Sequence, residues 1–124
     1  METRLIIFAS AIILLALPGF LYAKNIRDYN EKELFYNFSY SICIASAFDV
    51  EEVKSDANRA ASAYVQFGNI SIEAYEDVSN KANTWLKKEY RSKTGKSLQI
   101  MKCIDFINSG EVEKVFSKYH PRKK

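Results

Sequence analysis

The sequence predicts an all-α fold: one compact bundle of about five helices, stapled by one disulfide and preceded by a signal peptide. Three observations carry this. Beyond residue 30, apolar residues recur at spacings of three and four, and no stretch alternates with period two for long enough to make a strand. Gly and Pro are scarce, at four and two, which argues against disorder and against a many-turned β architecture. Hydrophobic residues make up 48% of 124 residues, enough to bury the core of one domain.

The chain opens with a short cationic start at Arg4, weakened by Glu2. Residues 5–17 are apolar apart from Ser10, Pro18-Gly19 breaks the run, and Leu21-Tyr22-Ala23 places a small residue where cleavage is expected. This run is too short to cross a bilayer comfortably, which takes roughly 20 residues. It fits a secretory signal peptide over residues 1–23, an uncleaved anchor being the alternative. Residues 24–124 then form a single helical domain. Glu2 and Arg4 leave together, so the formal charge stays at +3. The basic end Pro121-Arg122-Lys123-Lys124 reads as a solvated tail. Lys and Arg form no stripe interleaved with aromatics, so nucleic acid is not an expected partner.

Export places Cys43 and Cys103, the two cysteines, in an oxidising compartment, where a disulfide is expected. Two buried free thiols are the alternative. The bridge would close a loop of about 60 residues, worth ~4 kcal/mol in the chain-entropy account.

The first helix is expected over residues 31–48. Asn30 can cap it, with Glu33 bonding back as in a capping box; Leu34, Phe35, Phe38, Ile42 and Ala45 form its inward stripe, and Cys43 sits beside it. A second helix starts at Val50 or Ser55 and runs to Phe67, with Ala57, Ala60, Ala61, Tyr64 and Phe67 inward. Its alanines permit close approach, and Gly68-Asn69 ends it. Ser71 caps a third helix over residues 72–90, with the stripe Ile72, Tyr75, Val78, Ala82, Trp85 and Leu86. Early Glu73 and Asp77 and late Lys87 and Lys88 suit its dipole. Residues 91–97 are polar with one glycine and read as an exposed loop. A fourth helix over residues 98–108 turns Ile100, Met101, Ile104 and Ile107 inward with Cys103. Ser109 caps a last helix over residues 111–119, with Val112, Val115, Phe116 and Tyr119 inward.

Catalysis needs groups that move protons or activate a nucleophile. The one histidine, His120, lies next to Pro121 near the end of the chain, a poor place to hold geometry. Two cysteines and one histidine give no zinc spacing, and the glycines are too few for a phosphate-cradling loop. The pairs Glu51-Glu52 and Glu76-Asp77 read as solvated helix faces. Asn37-Phe38-Ser39 and Asn69-Ile70-Ser71 match the glycosylation sequon by chance, the first inside a helix. No catalytic residue, metal or cofactor is expected. Tyr29, Tyr36, Tyr40 and Tyr90 fall off or at the edge of the stripes, and such amphipathic aromatics point mildly to a protein interface.

Four segments carry a resemblance: Cys43-Ile44-Ala45; Ala63-Tyr64-Val65-Gln66-Phe67-Gly68-Asn69 with Ile72-Glu73-Ala74-Tyr75; Tyr90-Arg91-Ser92-Lys93; and Met101-Lys102-Cys103-Ile104-Asp105-Phe106 on to Ser109. In this order they resemble the type VI secretion amidase immunity family, the class paired with the fourth amidase effector family. The resemblance implies a periplasmic, all-helical protein that dimerises, two immunity chains holding two effector molecules. It implies that the effector is a papain-like cysteine amidase cutting peptidoglycan crosslinks, and that a loop of the immunity protein occludes its groove. The other reading is a periplasmic helical adaptor or chaperone of another envelope system, which would show a broad exposed apolar groove.

The occluding loop is expected at Tyr90, Arg91, Ser92, Lys93, Thr94, Gly95, Lys96 and Ser97, the longest polar gap between helices. Gly95 lets it turn sharply, Tyr90 anchors its base, and Arg91, Lys93 and Lys96 offer long donors; a solvated connector is the plainer reading. The competing segment is the turn at residues 48–54, whose Asp49, Glu51 and Glu52 would suit a basic groove. Glu73, Asp77, Asn80 and Lys81, on the outer face of the third helix, are the expected second contact.

Overall fold

The computed structural model describes residues 24–120; the expected signal peptide and basic tail lie outside them. A short 3-10 turn, Ile26–Asp28, leads into five α-helices: α1 Glu31–Ala47, α2 Glu51–Phe67, α3 Ile72–Leu86, α4 Gln99–Asn108 and α5 Glu111–Tyr119. Helix α1 is the hub. It packs along α2 and also touches α3, α4 and α5.

The start of α1 follows its sequence. The Asn30 side chain accepts from the Glu33 N–H at 2.9 Å, and Glu33 accepts from the Asn30 N–H at 2.8 Å, closing the capping box. Phe35, Phe38 and Cys43 face the core, where they meet Tyr75, Val78, Phe106, Val112 and Phe116. Phe38 stands edge-on to Tyr75 with centroids 4.7 Å apart, an arrangement favoured by ring quadrupoles. Cys43 and Cys103 are bonded, with Cα atoms 5.7 Å apart, so α1 and α4 are joined at the centre of the bundle.

The structure corrects several sequence expectations. Helix α3 stops at Leu86, short of Tyr90: the Lys87 and Lys88 N–H groups turn back to Thr84 and Trp85 carbonyls, and the Lys88 ammonium lies 3.1 Å from the Trp85 ring centroid. Gly68 has ordinary extended backbone at φ −85°. It is needed for space, because a Cβ there would strike the Tyr75 hydroxyl. Ser71 stands at the start of α3 without making a side-chain cap. The last helix is preceded by Gly110 at φ +85°, while Ser109 donates to the Phe106 carbonyl and accepts from the Glu111 N–H.

The largest correction concerns which faces are inward. Ile72 is 58% exposed, and Ile100, Met101 and Ile104 are 48%, 49% and 45% exposed. The buried face of α4 is instead Lys102, Cys103 and Phe106. At 100° per residue Met101 lies nearly opposite Cys103, so the bridge that turns Cys103 inward turns Met101 out. Ile100, Met101 and Ile104, with Phe48 and Leu98, line an open depression of about 660 Å³.

Candidate functional site

The polar segment between α3 and α4 is an ordered hairpin. Arg91 and Ser97 form an antiparallel bridge. The Ser92 N–H donates to the Lys96 carbonyl and the Gly95 N–H to the Ser92 carbonyl, both at 2.9 Å. Lys93-Thr94-Gly95 is thus a three-residue turn, with its third residue at φ +79°, the left-handed region such turns require there. A Cβ on Gly95 would meet no neighbour, so the demand is on backbone angle alone. Ser92 Oγ and Thr94 Oγ1 lie 2.7 Å apart and share a hydrogen bond across the turn. Lys93 and Lys96 are exposed, and neither makes an ion pair among the described residues. Among the described residues Arg91 pairs with Glu89, at 3.4 Å.

The hairpin is fastened at its root by Tyr90 and Ser97, which the sequence places in the loop, and by Leu98, Gln99 and Lys102, to which it gives no such role. The Leu98 N–H donates to the Tyr90 carbonyl at 3.2 Å, joining the two legs. Ser97 Oγ donates to Gln99 Oε1 and Gln99 Nε2 to the Ala47 carbonyl, each at 3.0 Å, tying one leg to the end of α1. The Lys102 ammonium donates to the Leu86 carbonyl at 2.8 Å, closing the end of α3 beneath the other leg. The Tyr90 phenol is pushed up in pKa by the Asp105 carboxylate beside it and then by partial burial. Gln99 and Lys102 each sit in an otherwise ordinary helix, and Lys102 lies within an apolar stripe; a cation at such a position is the one signal that could have marked it.

The four residues expected as a second contact divide. Glu73 and Asn80 are exposed. Asp77 accepts from Lys118 at 3.2 Å and from the Tyr119 hydroxyl at 3.4 Å, and Lys81 pairs with Glu111 at 3.0 Å, so both are engaged with α5. Residues 48–54 do not form a loop: α2 begins at Glu51, and Lys54 folds back on Asp49 at 3.2 Å. Only residues 48–50 separate α1 from α2.

Both thiols are consumed by the bridge, and the His120 ring lies against Phe116 at 5.0 Å between centroids. A rigid helical body presenting one ordered cationic hairpin is the form of a protein-binding module.

The family model for type VI secretion system amidase immunity protein, Tai4, matches residues 33–116, and the chain belongs to this family. Among solved structures it is similar to a chain of the Tae4/Tai4 effector–immunity system of Salmonella typhimurium, at 31% identity over 81% of this chain and 99% of that one, with a TM-score of 0.72. It also shares its fold with a chain from the complex of Tae4 of Salmonella typhimurium with Tai4 of Enterobacter cloacae, at 24% identity over 74% and 95% of the two chains, with a TM-score of 0.67. Comparison with curated proteins gives no match.

Proposed function

We propose that the protein is a stoichiometric inhibitor acting in the periplasm, where it occludes the active site of a secreted peptidoglycan amidase and so protects the producing cell and its kin. The hairpin of residues 90–97 enters the amidase cleft, and the exposed Glu73 and Asn80 of α3, beside Asp77 and Lys81, make the second contact. Residues 1–23 direct export and are removed. The active form is a homodimer holding two amidase molecules, and the inhibitor uses no cofactor and performs no catalysis. The observation that carries this reading is the preformed hairpin. Its backbone is hydrogen-bonded internally and its legs are tied to α1 and α3, so little conformational freedom remains to be lost on docking.

The test is replacement of Lys93-Thr94-Gly95-Lys96 by Gly-Ser-Gly-Ser, with amidase inhibition and thermal unfolding measured together. Loss of inhibition at unchanged stability supports the hairpin; full inhibition removes it from the mechanism.

The apolar depression on α4 favours a second reading, since an adaptor would use such a groove for clients. Under the immunity reading the same face, Ile100, Met101 and Ile104, is where a second copy packs. Met101→Glu separates the two: it yields a monomer that still meets the amidase through its hairpin, or it abolishes client binding while the oligomeric state stays unchanged.

A further inference from the structure

At the root of the hairpin lies a pocket of about 200 Å³ lined by Lys87, Lys88, Glu89, Tyr90, Arg91, Ser97 and Lys102. Lys102 is the one buried lining residue, only 6% exposed. An ammonium has three donors. One reaches the Leu86 carbonyl at 2.8 Å, and the Tyr90 ring centroid lies 6.0 Å away. Lys102 makes no ion pair among the described residues. Lysine is almost never this buried without a partner, because an unpaired ammonium is expensive to remove from water. The lining also holds Lys87, Lys88 and Arg91 against one lining carboxylate, Glu89, with Asp105 beside Tyr90, and the exposed Arg91–Glu89 pair at 3.4 Å is a weak one. The end of α3 contributes only about half a negative charge, so even with Glu89 and the Asp105 carboxylate beside Tyr90 the four cations remain in excess.

We propose that this pocket is a carboxylate site that takes an Asp or Glu side chain of the partner amidase. The inference rests on the amidase-binding reading. A protein docked over the hairpin covers the pocket at its root, excludes water from it, and so strengthens the attraction between the Lys102 ammonium and an incoming carboxylate. The rim lysines and Arg91 steer that carboxylate in, and Lys102 holds it.

The test is to measure association and dissociation of the disulfide-bonded protein with the amidase, at low and high salt. Lys102→Met keeps the apolar stem and removes the charge, and it weakens binding by at least about tenfold, mostly through faster dissociation. Lys87→Glu, at an exposed rim position, slows association several-fold and flattens its salt dependence. If Lys102→Met is too unstable to assay, Lys87→Glu and the salt dependence decide. Failure of the unaltered protein to bind the amidase would overturn the amidase reading itself. Unaltered binding that both variants match overturns the pocket alone. Inorganic phosphate provides the other arm: if it raises the melting temperature of the unaltered protein but not of Lys102→Met, while amidase binding is equal in both, the pocket takes free oxyanions and the partner assignment is wrong.

Discussion

Two connections of this bundle solve the same problem in opposite ways. Between α2 and α3 the chain turns within residues 68–71, and its backbone is satisfied from a distance: the Glu31 carboxylate on α1 accepts from the Asn69 N–H at 2.8 Å and the Ile70 N–H at 3.0 Å. Ile70 is buried there, and Gly68 lies hard against Tyr75. Between α3 and α4 the hairpin satisfies its own backbone, and outside residues touch only its root. The first connection belongs to the core. The second presents its tip to solvent and can change sequence there without disturbing the core. Loops of that kind, borne on a rigid body, are where binding residues gather.

Substitutions at the two connections, and at the bridge beneath them, have different consequences for stability and for inhibition. Replacing both cysteines by serine removes the Cys43–Cys103 bridge and lowers stability by about 4 kcal/mol, read by thermal unfolding. It also loosens α4 beneath the hairpin, so amidase inhibition falls with it. Gly68→Ala forces a methyl group onto the Tyr75 hydroxyl and costs about 1–3 kcal/mol as overpacking, with inhibition intact at temperatures where the protein stays folded. Glu31→Ala strips two backbone N–H groups of their acceptor, costing about 1–2 kcal/mol, again with inhibition intact. Gly95→Ala shows the converse. Its left-handed backbone costs a Cβ about 1 kcal/mol, and the turn shifts to relieve it, so inhibition declines more than the melting temperature does.

The smallest effect is a pH dependence remote from both connections. Glu111 is held below the usual carboxylate range by Lys114 and then Lys81, and Glu113 by Lys32 and then Tyr36. Carboxyls lowered in the folded state stabilise it above their ordinary value of about 4.3. That contribution is lost as pH falls through the lowered values. Acid therefore weakens the ties of α5 to α3 and α1, and Glu111→Gln with Glu113→Gln reduces the fall in melting temperature between about pH 5 and 3.

How much of this was legible in the sequence divides along the same line. The five helices and the capping box at Asn30 follow from local spacing and chemistry, and so does the exposed segment at residues 91–97. What local pattern could not decide was the facing of α4. Ile100, Met101 and Ile104 have the spacing of a core stripe, but Cys103 and Phe106 offer a second stripe on the same short helix, and the disulfide to α1 selects it. The root of the hairpin was hidden for a related reason. Gln99 and Lys102 act on the Ala47 and Leu86 carbonyls, which are remote in sequence, so no window of residues shows the pairing. Glu31 was hidden likewise, since its partners lie 38 and 39 positions away.

The hub position of α1 also sets an order of events in folding. Helix α1 is the first long helix of the described chain, and α2 can pack on it while the rest is still emerging. Its Cys43 must wait for Cys103, 60 positions later, and Phe35 must wait for Phe116 on the last helix. The face that will become the centre of the molecule is therefore only partly sheltered, by α3, until nearly the whole chain has emerged. A chain cut short before α4 keeps α1, α2 and α3, so Phe38 can still meet Tyr75, but Phe35 lacks Phe116 and the Cys43 thiol lacks its partner. Such a fragment invites aggregation and mispaired disulfides between chains, so the price of a central first helix is a polypeptide that assembles late and nearly all at once.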